Sequence, residues 1–182
     1  MPRLSAVGIP RLQAGEDVNY RLIPFEGKQD LEKQLTRKIR AFQNPHARFI
    51  VLRDQDSHPD CTQLKQQLLS LCEAAGKSAD CLVRIACREL ETFYLADLLA
   101  VEQALGLKGL ARQQASRKFK APDGLGSPSH ELKMLTGQCY EKVSGSRRIG
   151  EFLQIDNPRS PSFANLIKAI RRMERQLLSI PD

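Results

Sequence analysis

Two short apolar runs constrain this chain more than any other feature. Phe49-Ile50-Val51-Leu52 is continuously apolar and rich in β-branched and aromatic residues, and Cys81-Leu82-Val83-Arg84-Ile85-Ala86-Cys87 is nearly so. Continuous runs of this kind, without polar alternation, suit strands buried on both faces of a parallel sheet. Between them, residues 63–75 place Leu64, Leu68, Leu71, Cys72 and Ala75 at helical spacing, with Gly76 as the C-cap. After the second run, Arg88-Glu89-Leu90-Glu91 opens a helix to about Leu105. Strand, helix, strand, helix in this order is a βαβ arrangement with a right-handed crossover. The fold class is therefore α/β, a parallel sheet flanked by helices.

The remainder is read around that core. Residues 1–17 contain Pro2, Gly8, Pro10 and Gly15 and lack periodicity, so they read as irregular. Val18 to Pro24 alternates loosely and predicts a short strand ending at the proline. Asp30 is the expected N-cap of a helix carrying Leu31, Leu35, Ile39 and Phe42 and stopped by Asn44-Pro45. From Lys108 the texture changes, and residues 112–130 predict loop or short helical pieces. A helical turn is expected over Glu131 to Leu135, while Ser144 to Arg148 is a Ser/Gly/Arg stretch without a pattern. Residues 163–178 form a last amphipathic helix, with Phe163, Leu166, Ile167, Ile170 and Leu177 inward and Ser162 as N-cap. The expected organisation is an irregular segment 1–17, an α/β core 18–110, and a basic loop and helical extension 111–182 packed on that core.

Composition narrows the partners. A chain of 182 residues fits one domain and buries a core without staples. No apolar run approaches the ~20 residues of a membrane span, and the N-terminus lacks the apolar core of a secretory signal. The five cysteines, Cys61, Cys72, Cys81, Cys87 and Cys139, are odd in number, form no CxxC pair and lie in apolar stretches. They read as reduced, buried small hydrophobes of a reducing compartment, which places the protein in the cytoplasm. Net charge is +7 and uneven: residues 1–110 carry 15 basic and 14 acidic side chains, residues 111–182 carry 13 and 7. Such a basic C-terminal part suits a polyanion such as nucleic acid, through Arg112, Arg117, Lys118, Lys120, Lys142, Arg147 and Arg148. A solvated surface is the plain alternative.

Asp54-Gln55-Asp56 is the sharpest chemical feature. Open α/β sheets bind ligands beyond the carboxyl ends of their strands. Two aspartates one residue apart at that point offer two hard oxygen ligands, the kind Mg²⁺ or Mn²⁺ prefers. By spacing alone the motif is weak, since aspartate is common in turns after strands. Glu89 and Glu91 begin the helix after the neighbouring strand, which brings them to the same sheet edge. They point about 200° apart on a helix, so at most one faces the site, and Glu91 is the better candidate. Asp97 lies among apolar neighbours and requires a partner; Arg84 or Arg88 is the expected one, which makes Asp97 structural. His46, His58 and His130 are scattered, and no Ser/His/Asp or Cys/His arrangement suggests nucleophilic catalysis. Glu26-Gly27-Lys28 is no phosphate loop.

From Glu26 to Phe163 the sequence resembles a bacterial family known as domain of unknown function 4276. The matching stretches are Phe25-Glu26-Gly27-Lys28-Gln29-Asp30-Leu31, Phe49 through Asp56, Arg84 through Glu91 with Tyr94-Leu95-Ala96-Asp97, Lys118-Phe119 with Pro122-Asp123, Lys142-Val143-Ser144-Gly145-Ser146-Arg147, and Ser160 to Phe163. That family is similar to the Toprim module of topoisomerases, primases and overcoming-lysogenization-defect nucleases, and its members are often found near ATPase genes of bacterial defence systems. The resemblance implies a Mg²⁺-dependent nuclease with an ATPase partner, Asp54 and Asp56 as the Toprim DxD, and Glu91 as a further acidic position. Toprim proteins also carry a glutamate at the end of an earlier strand, expected to serve as general base or metal ligand. Here Met1-Pro2-Arg3-Leu4 looks like the tail of the helix after that strand, and neither Glu16 nor Glu26 follows a comparable strand. Either the true start lies upstream of Met1, or this version has lost the N-terminal strand and its glutamate; in the latter case a catalytically impaired binding subunit that docks on an ATPase or on nucleic acid is the rival expectation.

Overall fold

A computed structural model describes residues 20–179. The irregular segment 1–17, with Glu16, and the start of the expected strand at Val18 lie outside the described residues. The contacts divide the chain into two compact units, one of Ile23–Ala86 with the chain from Asn165 onward, the other containing Cys87–Ala164. The texture change near Lys108 does not mark that division, because the helices before and after it contact one another within the second unit.

The first unit is βαβ. Strand β1 (Phe49–Asp54) and strand β2 (Cys81–Ala86) pair in parallel, with Phe49 opposite Cys81 and Asp54 opposite Ala86. Helix α1 (Lys28–Arg40) precedes β1, and helix α2 (Cys61–Ala74) crosses between the strands. Leu31, Leu35 and Ile39 of α1, Leu68 and Cys72 of α2, Val51 of β1, and Cys81 and Val83 of β2 form its core. The expected burial of both strand faces is only partly realised. Val51 is the one buried residue of β1, and β2 buries Cys81, Val83 and Ala86. Two strands expose more edge than the wide sheet a continuous apolar run implies, and among the described residues the sheet has two strands.

Helix boundaries follow capping chemistry. Asp60 accepts hydrogen bonds from the amides of Thr62 (2.7 Å) and Gln63 (3.2 Å), so α2 starts at Cys61 rather than at residue 63. Gly76 sits at φ 75°, its amide bonded to Glu73 O and that of Lys77 to Cys72 O, which closes α2 as expected. Asp30 is not the N-cap of α1. Gly27 holds that place, and Asp30, in the first turn, accepts the Glu26 amide and the Gln34 side-chain amide. The expected strand before α1 is absent over its described part, residues 20–24, where the chain is irregular; Pro24 removes an amide that a ladder would use.

The second unit is helical. The single helix expected from Arg88 to Leu105 is two, α3 (Glu91–Leu95) and α4 (Leu98–Leu105), broken at Ala96-Asp97. Asp97 is buried and structural, but its partners are not arginines. Its carboxylate accepts the amides of Ala100 (3.2 Å), as cap of α4, and of Gln154 (3.0 Å). Asn157 secures the same break by donating to Ala96 O at 2.6 Å. Two 3₁₀ turns, Ala111–Ala115 and Pro122–Gly124, occupy the expected loop. Helix α5 (Pro128–Leu135) follows, and α6 (Ser144–Gly150) forms where the sequence shows no periodicity. Helix α7 (Pro161–Leu178) is capped by Ser160, whose Oγ accepts the Phe163 amide at 3.1 Å, not by Ser162. Cys72 and Cys81 are buried, whereas Cys61 and Cys139 are exposed, contrary to the expectation that all are buried.

Candidate functional site

The parallel ladder runs right up to the two aspartates. Asp54 closes β1, and the amide of Gln55 donates to Ala86 O at 2.9 Å, one step beyond the strand. Gln55 then turns its side-chain amide onto His58 O (2.8 Å), and His58 Nδ1 accepts the Asp60 amide (3.2 Å), so this histidine serves the turn. Asp56 sits at φ 54°, a left-handed conformation that aspartate tolerates better than most residues. Its Oδ2 lies 3.4 Å from the Lys28 ammonium, both side chains being well exposed. An ion pair that open to water is worth at most ~1 kcal/mol and exchanges readily. One residue before Asp54, Arg53 is engaged by Glu32.

In the helical unit the two glutamates take different parts. Both oxygens of Glu89 are occupied by Ser129: Oε2 accepts its amide at 2.7 Å and Oε1 its hydroxyl at 2.9 Å. Glu89 thereby caps the start of α5. Glu91, the first residue of α3, is 1% exposed. Its Oε1 accepts the Tyr140 hydroxyl at 3.0 Å and lies 4.0 Å from the Lys142 ammonium. Its Oε2 is buried with no hydrogen-bond partner among the described residues. A buried carboxylate oxygen left so is an invitation to a water or a cation. Tyr140 is fully buried and also meets Ser146 Oγ at 2.9 Å, and Ser146 bonds back to Lys142 O. Burial, opposed by the Ser146 hydrogen bond and reinforced by the Glu91 charge, pushes the Tyr140 phenol well above its ordinary value, so it remains a donor.

Lys142-Val143-Ser144-Gly145-Ser146-Arg147 thus has a local reason. A Cβ on Gly145 would stand 2.8 Å from Tyr140 Cδ2, so only glycine lets α6 pass this close to the ring. The sequence carried no local signal for Tyr140, Ser146, Ser129 or Asn157 as partners, because each acts on a residue 40 or more positions away, or on one that does. Arg112, Arg117, Lys118, Lys120, Lys142, Arg147 and Arg148 are all exposed, as a phosphate-binding role requires, with Lys118 paired to Glu131.

Among the described residues no three His, Cys, Asp or Glu side chains are grouped to hold a metal ion. An all-protein cage is therefore not what the donor set offers. Mg²⁺ typically takes one or two carboxylates and completes its shell with water and substrate phosphates. Asp54 and Asp56 supply that number, and the Lys28 ammonium on Asp56 is exposed enough to be exchanged for another cation.

The chain belongs to the family described as Domain of unknown function (DUF4276), which it matches over residues 6–171. No curated protein and no solved structure matches it. No helix among the described residues is long and apolar enough to cross a membrane.

Proposed function

We propose that this protein is a Mg²⁺-dependent nuclease subunit, hydrolysing phosphodiester bonds in a bacterial defence or DNA-processing system beside an ATPase. The observation that carries the reading is the position of Asp54-Gln55-Asp56. Two carboxylates stand at the carboxyl end of β1, where the parallel pair ends and where α/β folds bind ligands. The left-handed backbone at Asp56 is the kind of local strain that collects at functional sites. A bound Mg²⁺ or Mn²⁺ would supply Lewis acidity toward the phosphate and a more acidic water. Asp54 and Asp56 would hold it, leaving the remaining positions to water and phosphate oxygens. Lys28, displaced from Asp56, keeps a mobile positive charge for an incoming phosphate. Glu91 keeps one oxygen uncommitted, suited to a cation or a water proton. Glu89 is already used in capping α5 and takes no part in this proposal. The exposed basic side chains from Arg112 to Arg148 would neutralise the nucleic-acid backbone.

A second reading is favoured by the lack of a three-ligand group among the described residues. In it the chain is a catalytically impaired subunit docking on an ATPase or nucleic acid. Plasmid and single-stranded DNA and RNA incubated with Mg²⁺ or Mn²⁺, with and without any ATPase found encoded beside it, decide between them. The nuclease reading expects cleavage by the wild type and none by Asp54→Ala. Equal cleavage by both, or none under any condition, removes it, and co-purification with the ATPase in the latter case supports the second.

A further inference from the structure

The outward face of α7 carries charge that nothing in the nuclease site uses. Lys168, Arg172 and Arg175 are all exposed. At ~100° per residue they fall within an arc of ~60° on one side of the helix. The opposite side buries Ile167, Ala169, Ile170 and Met173. Glu174 is the one acidic residue in α7, and it lies off the basic arc. Neither an ion pair nor a side-chain hydrogen bond engages the cationic ends of Lys168, Arg172 or Arg175 among the described residues.

A fourth cation joins them from the sheet. Arg84 on β2 donates from Nε to Asn165 O at 3.0 Å and from a terminal nitrogen to Val83 O at 2.7 Å, which fixes its guanidinium beside α7. Burial first, and then the Arg172 charge, make the positive form of Arg84 harder to keep. Among the described residues no ion pair neutralises Arg84, Lys168, Arg172 or Arg175, and such a group of cations suits an anion that bridges them.

We propose that this face of α7, Lys168, Arg172 and Arg175 with Arg84, is a second nucleic-acid contact that grips the phosphate backbone through the βαβ unit. The inference rests on the nucleic-acid part of the function proposed above and adds a surface to it. From Lys168 to Arg175 the helix rises ~10.5 Å, a length over which duplex DNA presents about six phosphate charges at one per ~1.7 Å. A lipid surface is the poorer fit. An interfacial helix offers its apolar face to the bilayer, and the apolar face of α7 is buried within the protein.

The test measures duplex binding by fluorescence anisotropy across a salt series. It compares the wild type with the triple variant Lys168→Gln, Arg172→Gln, Arg175→Gln and with a control triple, Lys33→Gln, Lys38→Gln, Lys65→Gln, which removes the same charge from exposed positions on α1 and α2 of the same unit. Three lost phosphate contacts should weaken binding at least ~10-fold near 0.1 M salt and lower the slope of log K against log salt by about 2.7. The control should lose clearly less on both measures. Equal losses in the two triples, an unchanged α7 triple, or anionic vesicles that need these three cations when DNA does not, would overturn the proposal. A wild type that binds no nucleic acid at all overturns the function proposed above together with this surface, and is told apart from the other outcomes by the wild-type curve alone.

Discussion

Replacing Tyr140 by phenylalanine tests the buried network around Glu91. The substitution keeps the ring and its packing against Tyr94, whose centroid lies 6.2 Å away, and removes one oxygen. Glu91 Oε1 then loses its 3.0 Å hydrogen bond, Oε2 already has none, and the Lys142 ammonium at 4.0 Å is beyond hydrogen-bonding reach. A hydrogen bond to a charged group is worth ~1.5–3 kcal/mol net, and a loss of ~2 kcal/mol is expected here. At ~2–4 °C per kcal/mol for a chain of this size, the melting temperature should fall by ~4–8 °C. The cause is separable from packing by a double-mutant cycle. When both polar partners become apolar the cost can be small, so Tyr140→Phe in a Glu91→Leu background should be milder than in the wild type by at least ~1.5 kcal/mol. Urea unfolding at neutral pH, followed by circular dichroism, reads all four corners. Strictly additive effects, or a Tyr140→Phe variant within ~0.5 kcal/mol of the wild type, a shift within surface-substitution range, would refute the reasoning.

Other perturbations follow from the same contacts. Gly145→Ala places a methyl 2.8 Å from the Tyr140 ring, so it should cost ~1–3 kcal/mol although alanine is otherwise the better helix former; a neutral urea midpoint contradicts this. Asp60→Ala deprives the Thr62 and Gln63 amides of their acceptor and should cost ~1 kcal/mol, with Asp60→Asn recovering most of it in thermal melts. Because burial raises the Tyr140 phenol, the folded chain holds a proton that the unfolded chain releases. Stability should therefore be full below pH ~10 and decline as pH rises above it, and Tyr140→Phe should flatten that decline in a pH series of unfolding free energies.

The βαβ core was legible because its signals are local. The apolar runs at 49–52 and 81–87 marked the two strands, the second of which ends at Ala86, and Gly76 marked the end of α2, since left-handed caps favour one residue type. Asp54 and Asp56 follow from the first run by simple chain continuity. The helical unit was harder to read because its organisation rests on side chains satisfying distant backbone. Asp97 looked as though it needed an arginine, yet two amides satisfy it and break the helix there. Glu89, the weaker of the two glutamate candidates, is committed to a cap on a helix 40 residues later. The Ser144–Gly150 helix shows no apolar period because its decisive contact is the missing side chain of Gly145 against Tyr140.

Divalent-cation binding is the most direct measure of whether Asp54 and Asp56 form a metal site. Mn²⁺ titrated into the full chain and followed by the electron paramagnetic resonance of the free ion should show one bound ion that Mg²⁺ displaces. An Asp54→Asn, Asp56→Asn variant with an unchanged circular dichroism spectrum should lose that binding. Undiminished Mn²⁺ binding by the double variant, or no binding by the wild type, would contradict the account.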